Sequence, residues 1–197
     1  MKRIFFIAAV TFVAFIVASC GREGRFTESE KNIINDSPDK ILKVYTIENE
    51  DELEVLRALS TDLSISELKG KLYSLLAERM VKTVSDSTVD GVGLAAPQIG
   101  INRNIVAVQR FDKEGEPFEV YPNISIVEYS SECAAGPEGC LSVPGQRHDV
   151  ERHTGVTIRY YSLAVSAMVE EKIEGFTAVI FQHEVDHLGG VLYIDRI

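Results

Sequence analysis

Two histidines and a glutamate near the end of the chain have the residue types and the spacing of a metal site. His183 and His187 stand four residues apart in the pattern H-E-x-x-H, and Glu184 directly follows the first histidine. On a helix, side chains at positions i and i+4 share one face, so both imidazoles can reach one divalent metal. Glu184 can then act as a general base without binding the metal. The alternative is a core helix with two hydrogen-bonded histidines, but the adjacent glutamate favours a metal.

The residues around this motif predict the helix that must carry it. Phe176, Val179 and Ile180 recur with the two histidines at the helical period of 3.6 residues, which indicates that the histidines face the protein interior. The pair Gly189-Gly190 is typical of a helix end.

A third metal ligand should come from upstream in the chain. A metal hydrolase usually has three protein ligands and one open position, but only ten residues follow His187, and Asp195 is the only carboxylate among them. Cys140 is the best candidate, because a thiolate binds soft and borderline metals strongly. A disulfide with Cys133 is the alternative in an exported chain, although a small buried apolar role is favoured for Cys133 itself.

The first twenty residues have the pattern of a targeting signal. Lys2 and Arg3 precede an apolar stretch over residues 4–17, and the sequence Val-Ala-Ser-Cys then ends at Cys20. The apolar stretch is short for a membrane span and suits a signal sequence. The small residues before the cysteine resemble the lipobox of bacterial lipoproteins, which implies a signal peptide over residues 1–19 and a lipid on Cys20. A plain signal peptide and an N-terminal anchor are the alternatives, and all three place the domain outside the cytoplasm.

The rest of the chain reads as a tether and one domain. Residues 20–40 are polar and charged, which predicts a flexible tether. Residues 41–197 predict an α+β domain with antiparallel strands around the C-terminal motif helix. Its other predicted elements are an arm or strand over 41–47, a helix over 65–84, short strands between 104 and 169, a loop over 132–145 and a last strand over 191–194. The formal net charge of −10 argues against a nucleic-acid partner.

Three separated segments are similar to the three signatures of peptide deformylases. They are residues 91–98 (GVGLAAPQ), residues 138–142 (EGCLS) and residues 182–188 (QHEVDHL). They occur in the family's order, and the resemblance covers residues 41–197. It implies the fold of that family and hydrolysis of the N-formyl group of formyl-methionyl peptides, with release of formate.

The resemblance also implies a role for each matching residue. Three residues would bind one divalent metal, typically Fe²⁺ with Ni²⁺, Co²⁺ or Zn²⁺ as substitutes: Cys140, His183 and His187. Glu184 would be the general acid and base, while the side chain of Gln98 and the backbone N–H of Leu141 would stabilise the oxyanion.

Further matches surround this centre. Gly93 would lie beside the substrate backbone. Five side chains would line the pocket for the methionine side chain: Val92, Leu141, Phe176, Val179 and Ile180. Glu138 and Arg147 match positions near the site, and Arg152 is expected to pair with Asp90.

The predicted location is unusual for this chemistry, because formyl-methionyl peptides are made in the cytoplasm. We expect an anchored monomer in the cell envelope that acts on formylated peptides outside the cytoplasm; cytoplasmic deformylation of nascent chains is the alternative. Two other functions are considered: an exported formyl-peptide binding protein with little turnover, and a small metallopeptidase. The complete set of catalytic residue types disfavours the first, and the missing downstream ligand disfavours the second.

Overall fold

Three antiparallel sheets form the centre of the structure, a computed structural model that describes residues 24–197. One sheet has the order β1-β2-β3, a second has the order β4-β7-β8, and β5 pairs with β6 alone. Every named strand pair is antiparallel. The strands are β1 Gly93–Ala95, β2 Ile105–Gln109, β3 Phe118–Pro122, β4 Ser125–Tyr129, β5 Cys133–Cys140, β6 Val143–His153, β7 Gly155–Ser162 and β8 Ala167–Glu174.

The helices lie at both ends of the described chain. They are α1 Glu28–Asn35, α2 Glu50–Arg57, α3 Ile65–Leu68, α4 Lys71–Val84 and α5 Gly175–Leu188, with 3-10 turns at Ala96–Ile99 and Tyr193–Arg196. Helix α4 buries Leu76, Met80 and Val84 against Leu94 and Ile105 of the first sheet. Among the described residues, no helix is long and apolar enough to span a bilayer.

Helix α5 is the predicted motif helix, and the two larger sheets pack on it. Its Ile180 and Phe181 share a core with Val106 of β2 and with Val156 and Ile158 of β7. The predicted α+β class, with antiparallel strands around the C-terminal helix, is confirmed. This packing fixes the direction in which α5 presents His183, Glu184 and His187.

The predicted flexible tether over residues 20–40 is wrong for its described part. Thr27 and Glu30 form a capping box at the start of α1. Phe26 and Ile34 are buried in the core beside α4. Glu30 also makes a buried ion pair with Arg103 at 2.8 Å. Two large apolar residues, correctly spaced around a cap, are therefore enough to fold a segment whose composition is mostly polar.

Three predicted elements differ from the structure. The helix expected over residues 65–84 is divided into α3 and α4, because Gly70, a poor helix former, takes the N-cap position of α4 with extended backbone angles. The loop expected over residues 132–145 belongs to the β5–β6 hairpin, whose glycines and proline did not signal a strand. The last strand expected over residues 191–194 is absent: a 3-10 turn begins at Tyr193, and Asp195 caps it by accepting a hydrogen bond from the Leu192 N–H at 2.8 Å.

The arm over residues 41–47 is extended but joins no sheet. The backbone N–H of Tyr45 donates to the Gln98 carbonyl at 2.7 Å, and that of Ile47 donates to the Ser142 carbonyl at 2.9 Å. The arm therefore ties together two segments that carry the predicted oxyanion residues.

Candidate active site

Cys140, His183 and His187 meet in the structure at one point. Cys140 is the last residue of β5, and the two histidines lie one turn apart on α5. One potential ligand atom from each residue lies within 4.8 Å of the others. Cys140 Sγ lies 3.2 Å from His187 Nε2. The end of β5 and helix α5 are more than forty residues apart in the sequence. Together they supply one thiolate and two imidazoles, which suit soft and borderline metals.

The pKa shifts of His183 and His187 are consistent with a cation bound between the three ligand atoms. Burial lowers the pKa of His187 well below its ordinary value, so the ring is neutral and can bind a metal. Burial also opposes protonation of His183, but hydrogen bonds to Cys140 and Glu138 outweigh it and raise the pKa of His183 to about 10. The residues thus favour a positive charge between Cys140 and His183, which a divalent metal supplies.

A second observation supports the same fit. Oε2 of Glu184 is buried and has no hydrogen-bond partner among the described residues. An uncompensated carboxylate oxygen beside three converging ligand atoms is suited to water or substrate held in this site.

Glu138 fixes the orientation of the His183 ring. Its Oε2 lies 2.8 Å from Nδ1 of His183, so that nitrogen donates to the carboxylate and Nε2 is left for a metal. Hydrogen bonds from His183 and Arg152 outweigh burial and lower the pKa of Glu138 to about 2. The carboxylate is therefore ionised near neutral pH.

Arg152 does not pair with Asp90, as the family resemblance implied. It donates to Glu138 at 2.7 Å and to Asp186 at 2.6 Å. Arg152 lies on β6 beneath α5, whereas Asp90 lies before β1 in the wall of the pocket. The arginine therefore connects the β5–β6 hairpin to the motif helix instead of closing the pocket.

Gln98 is held at the edge of the site by both ends of its amide. Its Oε1 accepts from the Ala95 N–H at 2.8 Å, and its Nε2 donates to Ser142 Oγ at 3.2 Å. The same Nε2 lies 3.6 Å from Cys140 Sγ. The side chain is 1% exposed, so its donor is fixed before any ligand arrives.

Gly93 packs against the carboxylate of Glu184. A Cβ at position 93 would lie 2.3 Å from Oε1 of Glu184, which no side chain tolerates. The family resemblance placed Gly93 beside the substrate; in the structure its absence of a side chain also makes room for Glu184. Burial raises the pKa of Glu184 to about 7, so both its protonated and ionised forms are accessible near neutral pH.

A pocket of about 240 Å³ opens onto the metal-ligand candidates. Two of the ligand candidates, Cys140 and His183, line it. So does every residue that was predicted to line the substrate pocket, to stabilise the oxyanion or to act as acid and base: Val92, Gly93, Gln98, Leu141, Phe176, Val179, Ile180 and Glu184. His187 is fully buried. Phe176 is 57% exposed, so its expected place on the buried face of α5 is wrong. It stands at the pocket mouth, where its ring packs on Phe111.

Cys133 and Cys140 cannot form the disulfide left open by the sequence. They occupy the two ends of β5, an eight-residue strand, and both are free thiols. An extended strand of this length separates its ends by about 23 Å. Cys133 is also exposed, so its predicted buried apolar role is wrong.

Three supporting residues were not found from the sequence. Ser142 orients Gln98, Asp186 binds Arg152, and the ring of Tyr193 stacks on His183 with centroids 6.0 Å apart. The only available signal was position: Ser142 and Asp186 lie within the matched segments. Their partners are distant in sequence, so no local pattern indicates these contacts.

Comparisons with known proteins agree with this arrangement. The family model described as polypeptide deformylase matches residues 41–197. The chain belongs to the polypeptide deformylase family. A peptide deformylase of Desulforudis audaxviator is 45% identical over 121 residues, covering 61% of this chain and 75% of the relative. One of Leptospira biflexa is 40% identical over 152 residues, covering 73% and 82%.

Solved structures give the same result. The actinonin-bound class I type b peptide deformylase of Acinetobacter baumannii has a TM-score of 0.69 and 38% identity, covering 80% of this chain and 98% of that structure. The peptide deformylase of Thermotoga maritima has a TM-score of 0.68 and 33% identity, with 80% and 98% covered. Membership of this family establishes a metal-dependent enzyme that removes the N-formyl group from peptides.

Proposed function

We propose that this chain hydrolyses formyl-methionyl peptides at the site formed by Cys140, His183, His187 and Glu184, releasing formate and a free amino terminus. The observation that carries the proposal is the convergence of three ligand atoms within 4.8 Å at a pocket that also holds the buried Glu184. In the reaction, water adds to the formyl carbon and the carbon–nitrogen bond then breaks.

Cys140, His183 and His187 would hold one divalent metal. Bound there, such a metal lowers the pKa of water and withdraws electron density from the formyl carbonyl. We propose Fe²⁺ as the native ion, with Ni²⁺, Co²⁺ or Zn²⁺ as substitutes, because one thiolate and two imidazoles suit the later first-row divalent metals. The Glu138 carboxylate keeps Nδ1 of His183 as a donor, which directs Nε2 to the metal position.

Glu184 would act as the general base and then as the general acid. Its carboxylate accepts the proton of the attacking water and later delivers a proton to the departing amide nitrogen. A pKa of about 7 supports both transfers near neutral pH, because neither protonation state is strongly disfavoured. The contact with Gly93 holds the carboxylate in the pocket wall.

Gln98 and Leu141 would stabilise the negative charge that develops on the formyl oxygen. Nε2 of Gln98 is already oriented by Ala95 and Ser142, so little reorganisation accompanies the reaction. Leu141 follows the ligand Cys140 directly, so its backbone N–H lies at the same edge of the pocket. One such donor typically contributes about 3–4 kcal/mol to transition-state stability.

The methionine side chain of the substrate would enter an apolar wall of the same pocket. This wall is formed by five residues, Val92, Leu141, Phe176, Val179 and Ile180. Gly93 supports the proposal because it lines the pocket beside Glu184 and carries no side chain. A related structure from Acinetobacter baumannii is described as binding Met-Ala-Ser, the peptide that remains after formyl-Met-Ala-Ser loses its formyl group.

We further propose that the protein is a monomer anchored in the cell envelope by a lipid on Cys20 after removal of residues 1–19. The support is the sequence pattern around Cys20, which lies outside the described residues. The substrates would then be formylated peptides outside the cytoplasm. Palmitate labelling of the full chain, compared with Cys20→Ser, tests this location. An unlabelled chain in the cytosolic fraction would instead support deformylation of nascent chains.

The reaction is tested by comparing three substrates with the metal-loaded protein. Formyl-Met-Ala-Ser should release formate. Acetyl-Met-Ala-Ser should remain intact, because the methyl group makes the acetyl carbonyl bulkier and less electrophilic than the formyl carbonyl. A longer peptide with a blocked amino terminus should not be cut internally. Internal cleavage without formate release would identify a metallopeptidase and overturn the proposal.

A further inference from the structure

The turn between β7 and β8 exposes a run of uncharged, mostly apolar residues. Residues 163–168, with the sequence LAVSAM, are all exposed. Leu163 is 42% exposed, Val165 64% and Met168 49%. Single exposed apolar residues are ordinary on protein surfaces, but several exposed together can mark a site of interaction with a protein or a membrane. The contrast is marked in a chain in which 25% of the residues are charged.

This apolar turn is supported by a regular hairpin. Ser162 pairs with Ala167, so a four-residue turn joins the strands, and Ser166 in that turn has a φ of 53°. Below the turn, Tyr161 is buried and the ring of Tyr160 packs edge-on against Tyr121, with centroids 4.8 Å apart. The strands that carry the apolar turn are therefore packed against the protein through Tyr160 and Tyr161.

A series of contacts leads from the start of the described chain to this hairpin. The carbonyl of Gly24 accepts from the Ser64 N–H at 2.7 Å. The neighbouring Leu63 exchanges two hydrogen bonds with the Asn123 side chain, at 2.9 and 2.8 Å. Asn123 directly follows Pro122, which lines one surface groove together with Leu163. This series of contacts connects the start of the fold to the hairpin turn.

The distance from Cys20 to the fold is short. Gly24 is four residues beyond Cys20, and an extended chain of four residues spans at most about 14 Å. The capped helix α1 and the buried Phe26 take up the residues that would otherwise lengthen this connection. A lipid on Cys20 would therefore hold the start of the fold, and with it the connected hairpin, near a bilayer.

From these contacts we infer that the β7–β8 turn is a membrane-docking surface, formed by Leu163, Val165 and Met168. The inference rests on the proposed anchor at Cys20. The apolar side chains enter the boundary between lipid headgroups and acyl chains, where amphipathic surfaces bind. The catalytic pocket shares no lining residue with this surface.

The attraction is apolar, not electrostatic. The chain carries a formal net charge of −10, which opposes approach to an anionic bilayer. Docking should therefore occur on zwitterionic phosphatidylcholine and should not weaken as salt increases, because screening affects charge interactions only.

Tryptophan fluorescence gives a direct test, because the chain contains no tryptophan. The full lipidated chain is reconstituted into phosphatidylcholine vesicles as Met168→Trp, with brominated acyl chains as quencher. Lys172→Trp is the matched control: it lies on the same face of β8, about 13 Å further from the turn, and its side chain is 73% exposed. Formate release from both variants shows that each is folded and separates this test from the proposed deformylation.

Brominated lipid should quench Met168→Trp at least threefold more than Lys172→Trp, at both low and high salt. Quenching that is absent or equal at the two positions, in chains whose lipid is detected, overturns the docking surface but leaves the anchor intact. An absence of lipid on Cys20 overturns anchor and surface together. A concentration-dependent dimer that shields Met168→Trp without vesicles shows that a second copy, not lipid, covers the turn, and also overturns the inference.

Discussion

Oε2 of Glu138 lies 2.8 Å from Nδ1 of His183, and the same carboxylate accepts two hydrogen bonds from Arg152. Arg152 in turn reaches Asp186 on the motif helix. One buried carboxylate therefore orients a metal-ligand candidate, and one arginine joins the hairpin carrying Cys140 to the helix carrying the histidines. The geometry of the site depends on charged contacts that no local sequence pattern predicts.

Arg152→Ala should destabilise the fold strongly. Its loss removes two of the hydrogen bonds that the buried Glu138 carboxylate accepts and leaves it with His183 alone, and breaking a buried ion pair in this way costs about 3–5 kcal/mol. Arg159→Ala is the control, because the Arg159–Glu170 pair is half exposed, at 49% and 50%. An exposed pair contributes less than about 1 kcal/mol. Denaturant unfolding at equal metal content measures both, and equal effects of the two substitutions would contradict the role of Arg152.

Cys140→Ser should weaken metal binding by at least about tenfold and reduce formate release in proportion, because serine is a poor ligand for borderline metals. Cys133→Ser is the matched control, since Cys133 is exposed at the other end of β5. Metal content per chain after dialysis is the primary readout. Metal loss from the Cys133 variant, or its retention by the Cys140 variant, would show that the ligand set is wrong.

Gly93→Ala should impair catalysis without removing the metal. The added Cβ would lie 2.3 Å from Oε1 of Glu184, so the carboxylate must move. A displacement of about 1 Å from the reacting atoms can reduce the rate about 100-fold. Gly136→Ala introduces the same change on β5, where a Cβ meets nothing within 4 Å. Steady-state formate release compares the two, and an unimpaired Gly93→Ala enzyme would be incompatible with the tight packing around Glu184.

Asp112→Asn should change the pH dependence of the free energy of unfolding. The hydrogen bond from Arg110 lowers the pKa of Asp112 to about 2. A carboxyl group whose pKa is lowered by folding stabilises the protein above its ordinary pKa near 4, and this contribution disappears as the pH falls towards 2. After allowance for solvent screening, the substitution should cost about 1 kcal/mol at pH 7 and progressively less below pH 4.

Unfolding midpoints across this pH range test the prediction. Asp149→Asn, at an exposed position on β6, controls for the removal of one surface carboxylate. Arg110 keeps Glu171 as a partner in the Asp112 variant, so the substitution does not leave a buried charge unpaired. A destabilisation that is as large at pH 2 as at pH 7 would argue against this ion pair as its cause.

The structure agrees with the predicted positions of the site residues more closely than with the predicted helices, strands and loops around them. The spacing of His183 and His187 determines the face of a helix on which they lie, because the helix has a fixed period. Cys140 was selected by ligand chemistry, and the structure brings it within 3.2 Å of His187. These inferences depend on local geometry or residue type, which are both properties of short segments.

The elements and ion pairs around the site depend on contacts between residues that are distant in the sequence, and no local pattern predicts such contacts. The polar composition of residues 20–40 suggested a tether, yet Ile34 and Phe26 reach the core because α4 presents an apolar surface to them. Arg152 was matched to Asp90, although Glu138 and Asp186 are the carboxylates within reach once β6 packs beneath α5. Gly139 and Pro137 have low strand propensity, so β5 was predicted to be a loop. Pairing with β6 outweighs that propensity in the structure.

The most direct test of the central claim is formate release from formyl-Met-Ala-Ser by Glu184→Gln, compared with the native chain at one bound metal per chain. Glutamine preserves the size of the side chain but cannot accept and return a proton. The account predicts that the metal stays bound while the rate falls at least about 100-fold, as expected for loss of a general acid-base group. A metal-loaded Glu184→Gln enzyme that releases formate at the native rate would contradict the account.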